Sequence, residues 1–364
     1  MTSRARPPGG DRCPGVLRPY VTGDGALVRL RLPGGRVRIA VLAELMSLAG
    51  EFGAPVLQVT SRANLQLRAL PDPLPEAFIE RIEATGLLPS ATHERVRNIL
   101  AAPLAPNLQP LVEALDGALT GDPGLAELPG RFLFALSDET GSVLSEGWDL
   151  AYQSLSADRG LVLAGDYAID VAQNEAVSEL ICRAHLFLEH RSGPDVWNID
   201  DLPADSVVFD RMHPHVLGTA GPLEPGPVGD DLLVGVPLSM LRPTQLDALV
   251  AVTHELVLTP WRSFVVPGGA RHAAQLVEAG FTVTRESPWA RLTACVGAPS
   301  CARTQTRTLD LATDATTQMR AHGPRVHVVG CERRCGEPPA DHVTLVSPAD
   351  ADEIVRAANE PVHA

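Results

Sequence analysis

Thr293-Ala-Cys-Val-Gly-Ala-Pro-Ser-Cys301 and Val329-Gly-Cys-Glu-Arg-Arg-Cys335-Gly336 hold four of the six cysteines of the chain. Five residues separate Cys295 from Cys301, three separate Cys331 from Cys335, and 29 lie between the pairs. Both pairs sit among Gly and Pro, which let a backbone fold tightly around a compact core. A chain of 364 residues builds its own hydrophobic core and has no need of disulfide staples. Paired zinc cysteines usually enclose about two to four residues, and the first pair exceeds that. Four thiolates also hold a cubane iron–sulfur cluster, and the spacing favours this reading. Cys13 and Cys182 stand apart; Cys182 reads as a packed thiol on an amphipathic helix.

Around this stretch the composition is globular, with 45% hydrophobic residues. No run of about 18 apolar residues reads as a membrane helix. The opening Met-Thr-Ser-Arg-Ala-Arg lacks the apolar segment of a signal peptide, so a cytoplasmic, reducing compartment and no membrane partner are expected. A net charge of −14 argues against nucleic acid. All 30 basic residues are arginine, a bias that a GC-rich genome explains. The bias excludes a catalytic lysine and leaves any anion site to guanidinium groups, whose fork suits carboxylates.

Hydrophobic periodicity predicts a strand over 25–33, with Val28, Leu30 and Leu32 on one face and Arg29 and Arg31 on the other. A helix carrying Leu42, Leu45, Met46 and Ala49 follows, then strands over 56–60 and 64–70 and a helix ending near Gly86. A strand over 131–136, a hairpin over 160–171 and a helix over 175–190 come next. Residues 192–230, rich in Pro, Gly and Asp, read as a linker. Beyond it the opening pattern returns: strand 232–237, helix 244–254, then a turn and strand over 257–266.

The return is an internal duplication. Glu83-Ala-Thr-Gly86 is followed eleven residues later by Arg97 and then Ala101-Ala-Pro103; Glu278-Ala-Gly280 is followed eleven residues later by Arg291 and then Gly297-Ala-Pro299. Only the second copy carries cysteines, so one cluster is expected.

The cysteine motifs resemble the cluster signature of the sirohaem nitrite and sulfite reductase superfamily, and the resemblance covers nearly the whole chain. Within it, Thr259-Pro-Trp-Arg262, Cys13-Pro-Gly15 and Leu30-Arg-Leu-Pro-Gly-Gly35 are most similar to the precorrin-3B synthases of aerobic cobalamin synthesis. The resemblance implies an α+β, internally duplicated fold: two ferredoxin-like half-domains and two α/β domains, the second holding a [4Fe-4S] cluster. The expected divisions are an N-terminal arm (1–23), a first half-domain (24–75), a first α/β domain (76–191), the linker (192–230), a second half-domain (231–270) and a second α/β domain (271–364). The arm is expected to be loose.

The same resemblance implies site residues. Cys295, Cys301, Cys331 and Cys335 hold the cluster. Thr60-Ser-Arg62-Ala-Asn-Leu-Gln66 is similar to the segment that lies against sirohaem, and Val96-Arg97-Asn98 to the segment whose arginine faces the substrate anion. Arg131 stands where the reductases have their first lysine and Leu133 where they have the second, a loss of charge and of an acid that favours a synthase. Arg62, Gln66, Arg68, Arg97, Arg131 and Arg262, with Arg29 and Arg31, are candidates for binding a polycarboxylate macrocycle. The implied activity is that of a monooxygenase taking precorrin-3A and dioxygen, fed by an electron donor, with a mononuclear non-haem iron beside the cluster. No convincing two-histidine, one-carboxylate set emerges from His93-Glu94, His213-Pro-His215, His254-Glu255 or His272. The competing readings are a sulfite or nitrite reductase with bound sirohaem, and a non-enzymatic cluster- or tetrapyrrole-binding protein.

Overall fold

The structure, a computed structural model, describes residues 11–360. The described residues form two compact units, one from 11–20 with 89–220, the other from 21–88 with 221–360. Residues 21–88 open the second unit with strands β1 (Tyr20–Thr22), β2 (Gly25–Leu30) and β3 (Arg36–Arg38), helix α1 (Ile39–Phe52), strands β4 (Leu57–Val59) and β5 (Leu65–Leu70), and helix α2 (Glu76–Ala84). Val28, Leu30, Leu65 and Leu67 are buried on one face of the sheet, where α1 packs. Along α1, Leu42, Leu45 and Leu48 are wholly buried, each contributing about 1.5–3 kcal/mol. Gly53 ends the helix by donating its N–H to Ala49 O. The expected half-buried strand is buried more deeply than its pattern suggests: Arg31 is only 1% exposed and donates Nη1 to Arg29 O.

The other unit holds β6 (Ile99–Ala101), α3 (Gln109–Gly121), β7 (Phe134–Ser137), β8 (Leu150–Ser154), β9 (Arg159–Ala164), β10 (Tyr167–Ala172), α4 (Ala176–His190) and β11 (His213–Pro214). Its sheet runs β11-β10-β9-β8-β7-β6, parallel from β6 to β8 and antiparallel beyond. Leu115, Phe132, Phe134, Tyr152 and Phe187 centre the core.

Three expectations are corrected here. Residues 11–20 are not a loose arm. The Asp11 carboxylate accepts from the N–H groups of Cys13 and Gly130 at 2.9 and 2.7 Å, and Glu94 accepts from Val16 N at 2.6 Å. Residues 192–220 are no free linker: Trp197, Ile199 and Val208 are buried in this unit, and Asp149 accepts from Ile199 N and Asn198 Nδ2. Cys182 is exposed and not a packed thiol, because α4 turns Ala176, Leu180, Arg183, Ala184 and Phe187 inward and Cys182 falls off that face. Arg183 is tolerated inside because it bonds Glu179 and the carbonyls of Val208 and Asp210.

Residues 221–360 complete the second unit with β12 (Gly226–Val228), β13 (Asp231–Gly235), β14 (Met240–Leu241), α5 (Pro243–Val250), β15 (Glu255–Leu258), β16 (Ser263–Val266), α6 (Ala273–Glu278), β17 (Leu292–Ala294), α7 (Thr308–Thr316), β18 (Val326–Val329), β19 (Val343–Val346) and α8 (Ala351–Asn359). The order β12-β13-β16-β15 repeats β1-β2-β5-β4. The copies exchange edge strands: β14 pairs with β4 (Met240 opposite Gln58), and β3 pairs with β15 (Val37 opposite Leu256). Gly34 and Gly35 make the left-handed turn before β3; Leu238 and Ser239 make it before β14 at φ 50° and 66°, a conformation that costs a side chain more than glycine. Finally β17, β18 and β19 form a parallel sheet, with α7 and α8 in contact with it.

Candidate functional site

The two cysteine loops leave the ends of neighbouring parallel strands. Cys295 follows β17 and donates its N–H to Val328 O at 2.9 Å. Cys331 follows β18 by two residues. Gly330 N–H points at Cys295 Sγ, 3.3 Å away, joining the first thiol to the second loop. The first loop is folded by Cys301 N–H bonding Gly297 O at 2.8 Å. Gly297 has φ +57°, and a Cβ there would stand 2.4 Å from Thr308 Oγ1, so no other residue fits. The second loop turns through Arg334 N–H to Cys331 O at 3.1 Å.

All six cysteines are free of disulfides. Burial pushes the Cys335 thiol up; the charge of Arg333 opposes this, and Cys295, Cys331 and Cys301 lie near enough to raise it further. Four thiols gathered this way repel one another as thiolates and gain from a shared cationic core. The site fits a four-cysteine cluster on donor type, turn chemistry and the N–H···S bond at Cys295.

Behind the loops lies His327, absent from the sequence-derived candidates because it alternates with valines on β18. It is fully buried and bonds Thr293 Oγ1 through Nδ1 at 2.8 Å. Burial, then the charges of Arg262 and His342, lower its pKa to about 4, so it is neutral at pH 7. Among the described residues no group of three or more His, Cys, Asp or Glu is placed to hold a single metal ion. His93 bonds Asp122 O through Nε2, and Glu255 pairs with Arg36, so neither offers an open iron ligand.

The polar face of the first sheet carries a row across three strands. Arg29 donates Nε and Nη2 to Gln66 Oε1 at 3.1 and 2.8 Å, and Gln66 Nε2 donates to Gln58 Oε1 at 3.0 Å. The turn from β4 to β5 presents Arg62. Thr60 N–H bonds Asn64 O at 2.9 Å, Ala63 N–H bonds Thr60 O at 3.2 Å, and Thr60 Oγ1 accepts from Asn64 N at 3.1 Å. The turn from β15 to β16 repeats this: Thr259 N–H bonds Ser263 O at 2.9 Å, Arg262 N–H bonds Thr259 O at 3.2 Å, and Thr259 Oγ1 accepts from Ser263 N at 3.4 Å. Trp261 therefore stands where the first copy has Arg62, and Arg262 where it has Ala63.

The other candidate arginines also bond within the chain. Arg68 pairs with Asp24 at 2.9 Å and reaches Ser300 O at 3.2 Å. Arg262 donates to Gly336 O. Arg131 lies over the Trp197 ring, 5.3 Å from its centroid. Arg97, expected to face a substrate anion, is buried and closes its fork on Asp116 at 2.7 Å through both Nε and Nη2. It ties the start of β6 to α3.

Residues 18–84 match the family described as the nitrite/sulfite reductase ferredoxin-like half domain. A precorrin-3B synthase from Sinorhizobium sp. is 24% identical over an alignment of 421 positions covering 95% of this chain and 84% of that protein. The ferredoxin–nitrite reductase of Synechococcus elongatus is 31% identical over 153 residues, 38% of this chain and 30% of that protein. Among solved structures, the NirA protein of Mycobacterium tuberculosis shares the fold, with TM-score 0.67 at 18% identity over 86% of this chain and 69% of that one.

Proposed function

We infer that this chain, which is similar to proteins of the nitrite/sulfite reductase superfamily, works as a precorrin-3B synthase, converting precorrin-3A in the aerobic route to cobalamin. The observation that carries this reading is the similarity to a synthase across 95% of the chain, joined to four thiols gathered at the ends of β17 and β18. Cys295, Cys301, Cys331 and Cys335 would hold a [4Fe-4S] cluster, which supplies one-electron transfer. The reaction adds one atom of dioxygen to a meso carbon of the macrocycle as hydroxyl and closes a lactone with a ring acetate. The second oxygen atom leaves as water, on two electrons and two protons from a donor.

The chain's own part is recognition and placement. Precorrin-3A is a polycarboxylate, and Arg29, Gln66, Gln58 and Arg62 line a polar sheet face and turn suited to carboxylates through charge-assisted bonds. The rigid Thr60–Asn64 turn fixes Arg62 before substrate arrives, which reduces the ordering cost of binding. Arg97 is left out of this set, because its fork already holds Asp116. The apolar Leu133 further disfavours anion reduction, which needs charge and protons at the reacting atom. The test is anaerobic incubation of purified protein with precorrin-3A and a chemical reductant, then a pulse of labelled dioxygen. One labelled oxygen in a lactone product supports the reading. Turnover of nitrite or sulfite, with precorrin-3A unchanged, replaces it with a reductase.

A further inference from the structure

We propose that Arg68 and Arg262 are positioning residues for the cluster, each coming from one of the two duplicated sheets and each holding one of the two cysteine loops. The inference rests on the cluster reading of the four cysteines. It removes from substrate recognition two arginines that the sequence places there.

Arg68 lies on β5 and is only 5% exposed. Its Nε and Nη2 meet Asp24 at 2.9 and 3.2 Å, and Nη2 also donates to Ser300 O at 3.2 Å, the residue before Cys301. Burial alone would raise the Asp24 carboxyl, yet the bonds from Arg68 and Thr22 and the Arg68 charge hold it below its ordinary value. The turn that carries Asp24 lies on the same loop: a Cβ on Gly23 would stand 2.8 Å from Ala302 N and 3.3 Å from the carbonyl carbon of Cys301. Arg68, Asp24 and the first loop therefore form one contact. On the second sheet Arg262 takes φ +58° and donates Nη2 to Gly336 O, the residue after Cys335. The N–H groups that reach these carbonyls are not available to a substrate carboxylate.

The two contacts act in two ways. They fix the peptide units beside Cys301 and Cys335, and so the directions of those thiolates. They also set two cations beside a cluster that becomes more negative on reduction, which favours the reduced state. Arg303 and Arg333 are also on the loops, but both are exposed and better screened by water and salt.

The test uses the full chain, purified without oxygen, as wild type, Arg68→Gln, Arg68→Lys, Asp24→Asn and Arg262→Gln. Iron and sulfide content, the rate of bleaching in air, and the midpoint potential are read for each. Arg68→Gln and Arg262→Gln should bleach about tenfold faster, the equivalent of one lost charge-assisted bond, and should be harder to reduce. Asp24→Asn breaks the same ion pair with the opposite charge change and should be easier to reduce. Arg68→Lys should restore the wild-type potential. A purely structural pair would move Arg68→Gln and Asp24→Asn in one direction, and that result overturns the proposal. So do wild-type potentials and bleaching rates in Arg68→Gln and Arg262→Gln. Where Arg68→Gln folds poorly, the Lys and Asn variants carry the same sign test. A wild type that holds no cluster overturns the underlying reading, and the proposal with it.

Discussion

Arg97 precedes β6 and Arg291 precedes β17, each eleven residues after a left-handed glycine, Gly86 at φ 79° and Gly280 at φ 88°. Both arginines are buried, and both hold their own α/β layer together. Arg97 grips Asp116 on α3, while Arg291 donates to the carbonyls of Pro324, Arg320 and Ala358. Ala102 then donates its N–H to Leu136 O on the next strand at 2.9 Å, and Cys295 does the same to Val328 O at 2.9 Å. One copy has a methyl group where the other has a thiol. The repeated arginine is thus part of the scaffold, and the copies differ in the loop that leaves the strand.

Replacing Cys301 by Ser should have the largest effect. It removes one of four thiolates and should abolish cluster absorbance together with bound iron and sulfide; an unchanged spectrum would detach this loop from the cluster. Next, Asp116→Ala leaves the buried Arg97 fork without its carboxylate and should cost about 3 kcal/mol of stability, measured by denaturant unfolding, with cluster content retained. Arg291→Ala should cost a similar amount and also release the cluster, because its layer carries the cysteines. Equal cluster retention in the two variants would dissolve the contrast between the copies.

Smaller effects probe the borders of the units. Asp11→Asn should cost about 1 kcal/mol at neutral pH by weakening the bonds to Gly130 and Cys13. Burial raises the Asp11 carboxyl, but the N–H groups of Cys13 and Gly130 and the charge of Arg95 bring it below 3.8. Its stabilisation is therefore complete above the unfolded value and lost as pH falls through the lower folded value. The wild type should lose its advantage over Asp11→Asn in strong acid, as melting temperatures at neutral and acid pH would show. Cys182→Ser, on the exposed face of α4, should change stability by less than about 0.5 kcal/mol and leave the iron content unaltered.

The cysteine turns and the duplication were legible because both are patterns of spacing. The exchanged edges were not, since β14 has two residues and β3 three, too few to show a period. Residues 192–220 resembled a linker because Trp197, Ile199 and Val208 are scattered among turn formers. Arg31 and Arg97 carry charges that sequence reading assigns to an anion or to solvent, yet a local carbonyl or carboxylate lets each be buried. Arg68 and Arg262 read as candidates for macrocycle carboxylates, because their partners, Ser300 and Gly336, are distant in sequence. His327 was hidden by its apolar neighbours.

Metal and pigment content decide between the synthase and its reductase relatives. Protein purified without oxygen should contain about four irons and four sulfides, show the broad absorbance of a cluster, and carry no tetrapyrrole pigment. Stoichiometric sirohaem beside the cluster would contradict the synthase reading, and the absence of iron and sulfide would contradict the cluster itself.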